Sequence, residues 1–178
     1  MQEDKLIRIE YDNFFVKGVQ QLLIAPYCVK VFRQRWYVIG KAKGEKTLWR
    51  WALDRFISME IAEQKFRLPK DFSAEIYFKD AFGVIADEDE CPVETIQLKV
   101  FSKNHRDEYL RHLPLHASQR EVERYEDYSI FEVQVRPAYD FCQELLSYGE
   151  EVEVLSPPYL RDYIAERIKK AAIRYHSQ

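Results

Sequence analysis

The sequence predicts an α+β chain in two parts, a small antiparallel β unit followed by a βαββαβ unit, and three observations predict it. Between Tyr27 and Phe66, the runs YCVKVF, WYVIGKA and TLWRWALDRFISMEI are rich in aromatic and β-branched residues and are separated by RQR and KGEK. Such breaks are hairpin signals, so the runs read as an antiparallel meander, the nucleus of a small barrel or sandwich. From Glu94 to Leu155, strand-like and helix-like periods follow one another in the order βαββαβ, the split βαβ or ferredoxin-like arrangement. Charge divides along the same line. Residues 27–70 hold eleven Lys or Arg against four Asp or Glu, a local +7, whereas residues 71–178 sum to −9.

Composition sets the outer limits. With 178 residues, 47% of them apolar and 15% aromatic, the chain can bury two small cores. No run approaches the roughly 18 apolar residues of a membrane span, and Met1-Gln2-Glu3-Asp4-Lys5 lacks the apolar core of a signal peptide. A soluble, cytoplasmic protein without a membrane partner is expected. Three widely spaced cysteines, Cys28, Cys91 and Cys142, fit reduced thiols rather than a disulfide framework, and the apolar flanks of Cys28 and Cys142 suit core positions. A net charge of −3 argues against a protein that coats nucleic acid by bulk electrostatics. The confined basic segment leaves two readings, solvated lysines on strand faces or an anion-binding surface.

Taken in order, Leu6 to Tyr11 alternates as an opening strand, with Asp12-Asn13 as a turn, and Val19 to Ile24 reads as a second strand before Pro26. In Trp49-Arg50-Trp51 the indoles fall on one strand face and the guanidinium on the other. Lys65 to Asp71 reads as a linker and Phe72 to Val84 as one or two short helices; the acidic stretch Asp87 to Pro92 marks a boundary. This gives residues 1–66, a linker over 67–93, and 94–178. In the last part Ile96–Phe101 is a strand, and Ser102 is placed to cap a helix burying Tyr109, Leu110 and Leu113. Strands follow at Gln119–Tyr125 and around Phe131, Val133 and Val135. Pro137 opens a helix that ends at Gly149 in a left-handed cap, and Val152-Glu153-Val154 is the final strand. A closing helix, with Ser156 as N-cap and Pro157 in its first turn, carries the stripe Leu160, Ile164, Ile168, Ala171, Tyr175, which must be buried on the domain or on a partner.

Two groups of motifs resemble a known family. Trp36-Tyr37-Val38, after the Pro26-led strand and before Leu53-Asp54-Arg55-Phe56, is similar to the name-giving tripeptide and following motif of the WYL domain, with Val in the third place. Pro114-Leu115-His116-Ala117-Ser118-Gln119 and the segment from Ser147 to Pro157 resemble the WCX extension that follows WYL domains. The resemblance spans nearly the whole chain. It implies an Sm-like five-stranded β-barrel ahead of the ferredoxin-like domain. In function it implies a bacterial transcriptional regulator whose barrel senses single-stranded DNA or a nucleotide, with the WCX part contributing to a homodimer. The alternatives are an interaction or dimerisation module without a small ligand, or a CRISPR-accessory regulator. Family members often place an arginine at the position held here by Trp49, with Arg50 only adjacent. The regulators usually reach DNA through an N-terminal winged helix-turn-helix, for which no room precedes the first strand.

The candidate ligand residues follow from these motifs. Arg55, at a strand junction, either grips a phosphate bidentately or pairs with Asp54 or another acid. Arg33 and Arg35 at a hairpin tip either contact a nucleic-acid backbone or are solvated turn residues. Trp36 and Tyr37 either stack on bases or pack in the core, with one of the two expected inside. Arg50 and Tyr11 complete the set on the barrel. His116 beside Ser118 lacks an orienting acid, so a structural hydrogen bond competes with a ligand role. His105, His112 and His116 have no metal-site spacing, and no phosphate loop or catalytic constellation is present, so no enzyme activity, cofactor or metal is expected.

Overall fold

The computed structural model describes residues 4–14, 16–86 and 91–176. The chain divides into two compact units, Met1–Tyr77 and Phe78–Gln178. The acidic stretch Asp87–Glu90, expected to mark the boundary, lies outside the described residues.

In the first unit β1 (Lys5–Asp12), β2 (Val19–Phe32), β3 (Arg35–Ala42), β4 (Trp49–Ala52) and β5 (Phe56–Lys65) form one antiparallel sheet in the order β4-β3-β2-β1-β5. The expected Sm-like barrel is not formed. No pairing joins β4 to β5 among the described residues, so the sheet stays open. The cause lies in the third run of the meander. A 3-10 turn at Leu53–Arg55 interrupts it, leaving β4 only four residues long and sending β5 to pair with β1 at the opposite edge.

β2 does not stop at Pro26 but continues to Phe32, because the pairing with β3 slips between Pro26 and Cys28 and the missing N–H falls at that bulge. Gly40 pairs with Pro26 there, and a Cβ on it would stand 2.1 Å from the Ala25 carbonyl oxygen. The β2–β3 hairpin closes through Arg33 and Gln34, with φ of 47° and 63°. A two-residue turn with both residues left-handed matches strand twist and normally takes Asn-Gly. Ile9, Tyr11, Ile24, Val38 and Trp51 make the core, with Val38 directly opposite Trp51. After β5, Tyr27 stacks on Phe66 at 6.1 Å and meets Phe72 edge-on at 5.0 Å, ahead of the single turn α1 (Ala74–Tyr77).

The second unit holds β6 (Glu94–Phe101), α2 (Arg106–His112), β7 (Arg120–Arg124), β8 (Tyr128–Val135), α3 (Tyr139–Ser147), β9 (Val152–Ser156) and α4 (Pro158–His176). Its antiparallel sheet has the order β7-β8-β6-β9 with helices after β6, β8 and β9, which is the βαββαβ arrangement the periodicity implies. Ile96, Leu98, Val100, Phe131, Val133 and Val135 alternate onto one face and pack with Phe141, Leu145, Leu160 and Ile164. Burying a side chain such as Phe131 or Phe141 contributes about 2–3 kcal/mol each.

Two expected caps are absent. The Ser102 hydroxyl donates to Asp107 at 3.1 Å instead of capping, and α2 starts only at Arg106, after the left-handed residues Asn104 and His105. The late start leaves Leu110 buried but Tyr109 and Leu113 exposed. Ser156 ends β9, and α4 opens at Pro158, a position whose missing N–H costs nothing. Gly149 has the expected left-handed φ, 57°. Cys142 is buried, which pushes its thiol up to about 11, while Cys28 is only half-buried. Of the α4 stripe, Leu160 and Ile164 are buried and Ile168, Ala171 and Tyr175 are exposed. No helix among the described residues is long and apolar enough to cross a membrane.

Residues 79–85 are tied to the second unit. The Asp140 carboxylate accepts from the N–H groups of Val84 at 2.8 Å and Ile85 at 3.2 Å, and Arg136 N–H donates to the Asp80 carbonyl at 2.9 Å. Arg111 anchors α2 to the sheet by donating to Asp107 at 2.9 Å, Glu121 at 2.7 Å and the Ser129 hydroxyl at 2.8 Å. Burial pushes the Asp107 carboxyl up, but the hydrogen bonds from Ser102 and Arg111 outweigh it and the net shift is downward. The Arg111 hydrogen bond, the larger effect, lowers Glu121 despite partial burial.

Two outcomes follow from these contacts. Gly40→Ala must displace the backbone at Ala25, and chemical denaturation is expected to show a loss of about 1–3 kcal/mol or more, while Gly44→Ala, which meets no atom but takes a left-handed φ of 93°, costs only the backbone strain of about 1–2 kcal/mol. Carboxylates with depressed folded-state pKa values stabilise above the ordinary carboxylate range and lose that contribution as pH falls through the folded values. Stability should therefore fall below about pH 4, and Arg111→Met, which leaves Asp107 buried without its partner, should cost about 3 kcal/mol at neutral pH and flatten that acid limb.

Candidate anion-binding face of the first unit

Register decides which cations share a face. Directly opposed residues in antiparallel strands point the same way, and the pairs Lys30↔Tyr37, Phe32↔Arg35, Ile39↔Arg50 and Tyr37↔Ala52 put Lys30, Arg35, Tyr37 and Arg50 on one side of β2-β3-β4. Trp36, Val38, Trp49 and Trp51 take the other side. Val38 and Trp51 point into the core, while the cation-bearing side also holds the buried Ile39 and Ala52, with Lys30, Tyr37 and Arg50 half-buried and Arg35 exposed. The separation of indoles from guanidinium expected for Trp49-Arg50-Trp51 is thus observed.

The candidate residues fare differently. Asp54 pairs with Arg35, at 3.0 Å, and not with Arg55. Arg55 closes the 3-10 turn; its guanidinium lies 3.6 Å from the centroid of the Phe14 ring. Its Nε is shielded from solvent and has no hydrogen-bond partner, and among the described residues no acid pairs with it. Arg33 is exposed at the hairpin tip, 5.5 Å from the centre of the Phe32 ring. Trp36 is 56% exposed and Tyr37 half-buried, so neither is fully inside as one was expected to be. Arg50 is half-buried.

Tyr11 is a core residue. Its ring meets Phe56 edge-on at 5.9 Å, and its hydroxyl accepts from the Ala52 N–H at 3.3 Å, fixing the start of the turn that carries Arg55. His116 sits in the second unit with both ring nitrogens engaged. Nε2 bonds the Lys79 carbonyl at 2.8 Å, and because a carbonyl only accepts, the proton is on Nε2; Nδ1 then accepts from the Ser118 N–H at 3.2 Å. That ring clips residue 79 to the loop ahead of β7, the structural hydrogen bond weighed for it from sequence. Phe14 is the residue sequence reasoning missed. Its signal was an aromatic just beyond the Asp12-Asn13 turn, where an exposed ring needs a reason. Among the described residues no group of His, Cys, Asp and Glu is arranged to hold a metal ion.

The first unit is thus a small antiparallel β module with Lys30, Arg35, Tyr37 and Arg50 on one sheet face and the Arg55 guanidinium on the exposed Phe14 ring. Comparison with known families fixes its kind: residues 1–61 match the WYL domain and residues 92–172 the WCX domain. The chain belongs to the proteins that join a WYL domain to a WCX domain. No curated protein matches it. Among solved structures it is similar to a CRISPR Cas-related protein, with 13% identity and a TM-score of 0.55 over 97% of this chain and 48% of that one, a likeness of fold. It also matches the proteasome accessory factor B/C of Arthrobacter aurescens, with 22% identity and a TM-score of 0.40 over 95% of this chain and 25% of that one. The chain thus spans about half and a quarter of these two structures.

Stacking of Arg55 on Phe14 is expected to couple the two residues. A double-mutant cycle of Phe14→Ala and Arg55→Ala, read by thermal unfolding, should return an interaction of about 0.5–1 kcal/mol.

Proposed function

We propose that the first unit binds a single-stranded nucleic acid or nucleotide at Arg55 and the face of β2-β3-β4 that carries Lys30, Arg35 and Arg50, as the sensing part of a WYL-type regulator. Arg55 carries the reading. A guanidinium with no acid partner among the described residues, held against a ring, keeps its charge for an incoming anion and gives up little freedom on binding. It offers a phosphate two parallel N–H donors. Lys30, Arg35 and Arg50 supply a broader positive field around Tyr37, whose half-buried ring can meet a base. Trp36 lies on the opposite side of its strand and serves a ligand only if the strand wraps the hairpin tip. The shared fold with a CRISPR Cas-related protein supports the same family of roles without selecting among outputs.

The test is fluorescence anisotropy of labelled single-stranded and duplex oligonucleotides at low and moderate salt. Single strands are expected to bind better than duplex, with affinity falling as salt rises. Arg55→Ala should weaken binding about tenfold or more, and Asp54→Asn, which frees Arg35, should tighten it. No binding at low salt, or binding indifferent to Arg55→Ala, would reject the proposal.

A further inference from the structure

The Phe14 ring meets the Arg55 guanidinium on one of its sides. The guanidinium carbon lies 3.6 Å from the ring centroid. An atom in the plane of the ring would strike the edge hydrogens before coming that close, so the cation covers a face and not an edge. Phe14 is nevertheless 70% exposed. That exposure belongs to the opposite face and the rim.

The connection from β1 to β2, which carries the ring, is braced. Asn13 Nδ2 donates to Gln20 Oε1 at 3.0 Å across the ends of the two strands, and the Val16 N–H returns to the Asn13 carbonyl at 3.3 Å. Gly18, with a φ of 97°, leads the chain into β2. The cation comes from a separate element, the 3-10 turn after β4, whose start the Tyr11 hydroxyl fixes at Ala52. Ring and guanidinium are therefore held from both sides. An aromatic face set in place before a ligand arrives gives up little freedom on contact.

We infer that the open face of Phe14 stacks an unpaired nucleobase while Arg55, on the covered face, takes a phosphate of the same strand, so that Phe14 is the residue that selects single strands. This rests on the ligand reading given under Proposed function and deepens it. The Nε of Arg55 is shielded, which leaves its terminal nitrogens as the donors a phosphate can reach. They act through charge, and the phosphates of duplex and single strand both satisfy charge. Discrimination has to come from a group that meets bases. Inside a duplex the face of each base is covered by its neighbours, whereas an unstacked base offers a free face to an aromatic side chain. A phenyl ring has no hydrogen-bonding atom, so the contact tolerates any base and sorts strands by whether their bases are free.

Fluorescence anisotropy on the whole chain separates the base contact from the phosphate contact, using a labelled thymidine oligomer and an abasic oligomer with the same phosphodiester backbone and length. The unaltered protein is expected to bind the thymidine oligomer about tenfold tighter than the abasic one. Phe14→Leu should weaken the thymidine oligomer by about that factor and leave the abasic one within about twofold, erasing the difference, and Phe14→Trp should restore it. Arg55→Ala should weaken both probes. Because Phe14 is exposed, circular dichroism of its variants should remain that of the folded protein. Equal affinity of the unaltered protein for both probes, or a Phe14→Leu variant that keeps the difference, would overturn the role of Phe14 and leave anion binding at Arg55 standing. Binding of neither probe at low salt would reject the ligand reading itself, and this inference with it.

Discussion

The ion pair between Arg35 and Asp54 decides how charge is paired at the end of β4 in the first unit. It spans two half-exposed side chains and adds little to stability, since such surface pairs are worth about 0–1 kcal/mol. Its importance is in what it removes. Asp54 precedes Arg55 in the chain and would be its nearest counter-ion, yet the 3-10 turn directs the carboxylate across to β3. Among the described residues Arg55 meets a ring and no acid, and Tyr11, by holding the Ala52 N–H, fixes where that turn begins.

Much of the scaffold could be read from periodicity because its strands are half-buried. Phe131, Val133 and Val135 alternate with polar residues since only one side of β8 meets helices, and the same holds for β6. Where order failed to show, a long-range contact had overruled a local signal. Pro26 reads as a strand end, yet the bulge beside Gly40 absorbs its missing donor. Ser102 reads as a cap, yet Asp107 takes its hydroxyl. Barrel closure is a global property of strand length and register; with β4 reduced to four residues the sheet stays open, and no local pattern announced the break at Leu53.

A density of arginines among aromatics pointed to Arg55 from sequence, and the structure places its guanidinium on the Phe14 ring. Which carboxylate meets which guanidinium depended on cross-strand neighbours, and sequence adjacency pointed to the wrong pair. Phe14 escaped notice because a pair of aromatics after a turn resembles core filler, and its place under the Arg55 guanidinium gives it a role. For His116, two residues from Ser118, the local reading was sufficient.

The hairpin tip at Arg33 and Gln34 has a consequence of its own. Left-handed backbone costs an ordinary residue about 1–2 kcal/mol, and glycine would relieve that cost. The chain instead holds a guanidinium and a carboxamide at the outermost bend of the sheet, in a conformation that fixes the directions in which they project. The bearing at which each of these side chains leaves the tip is thus set by the peptide chain itself.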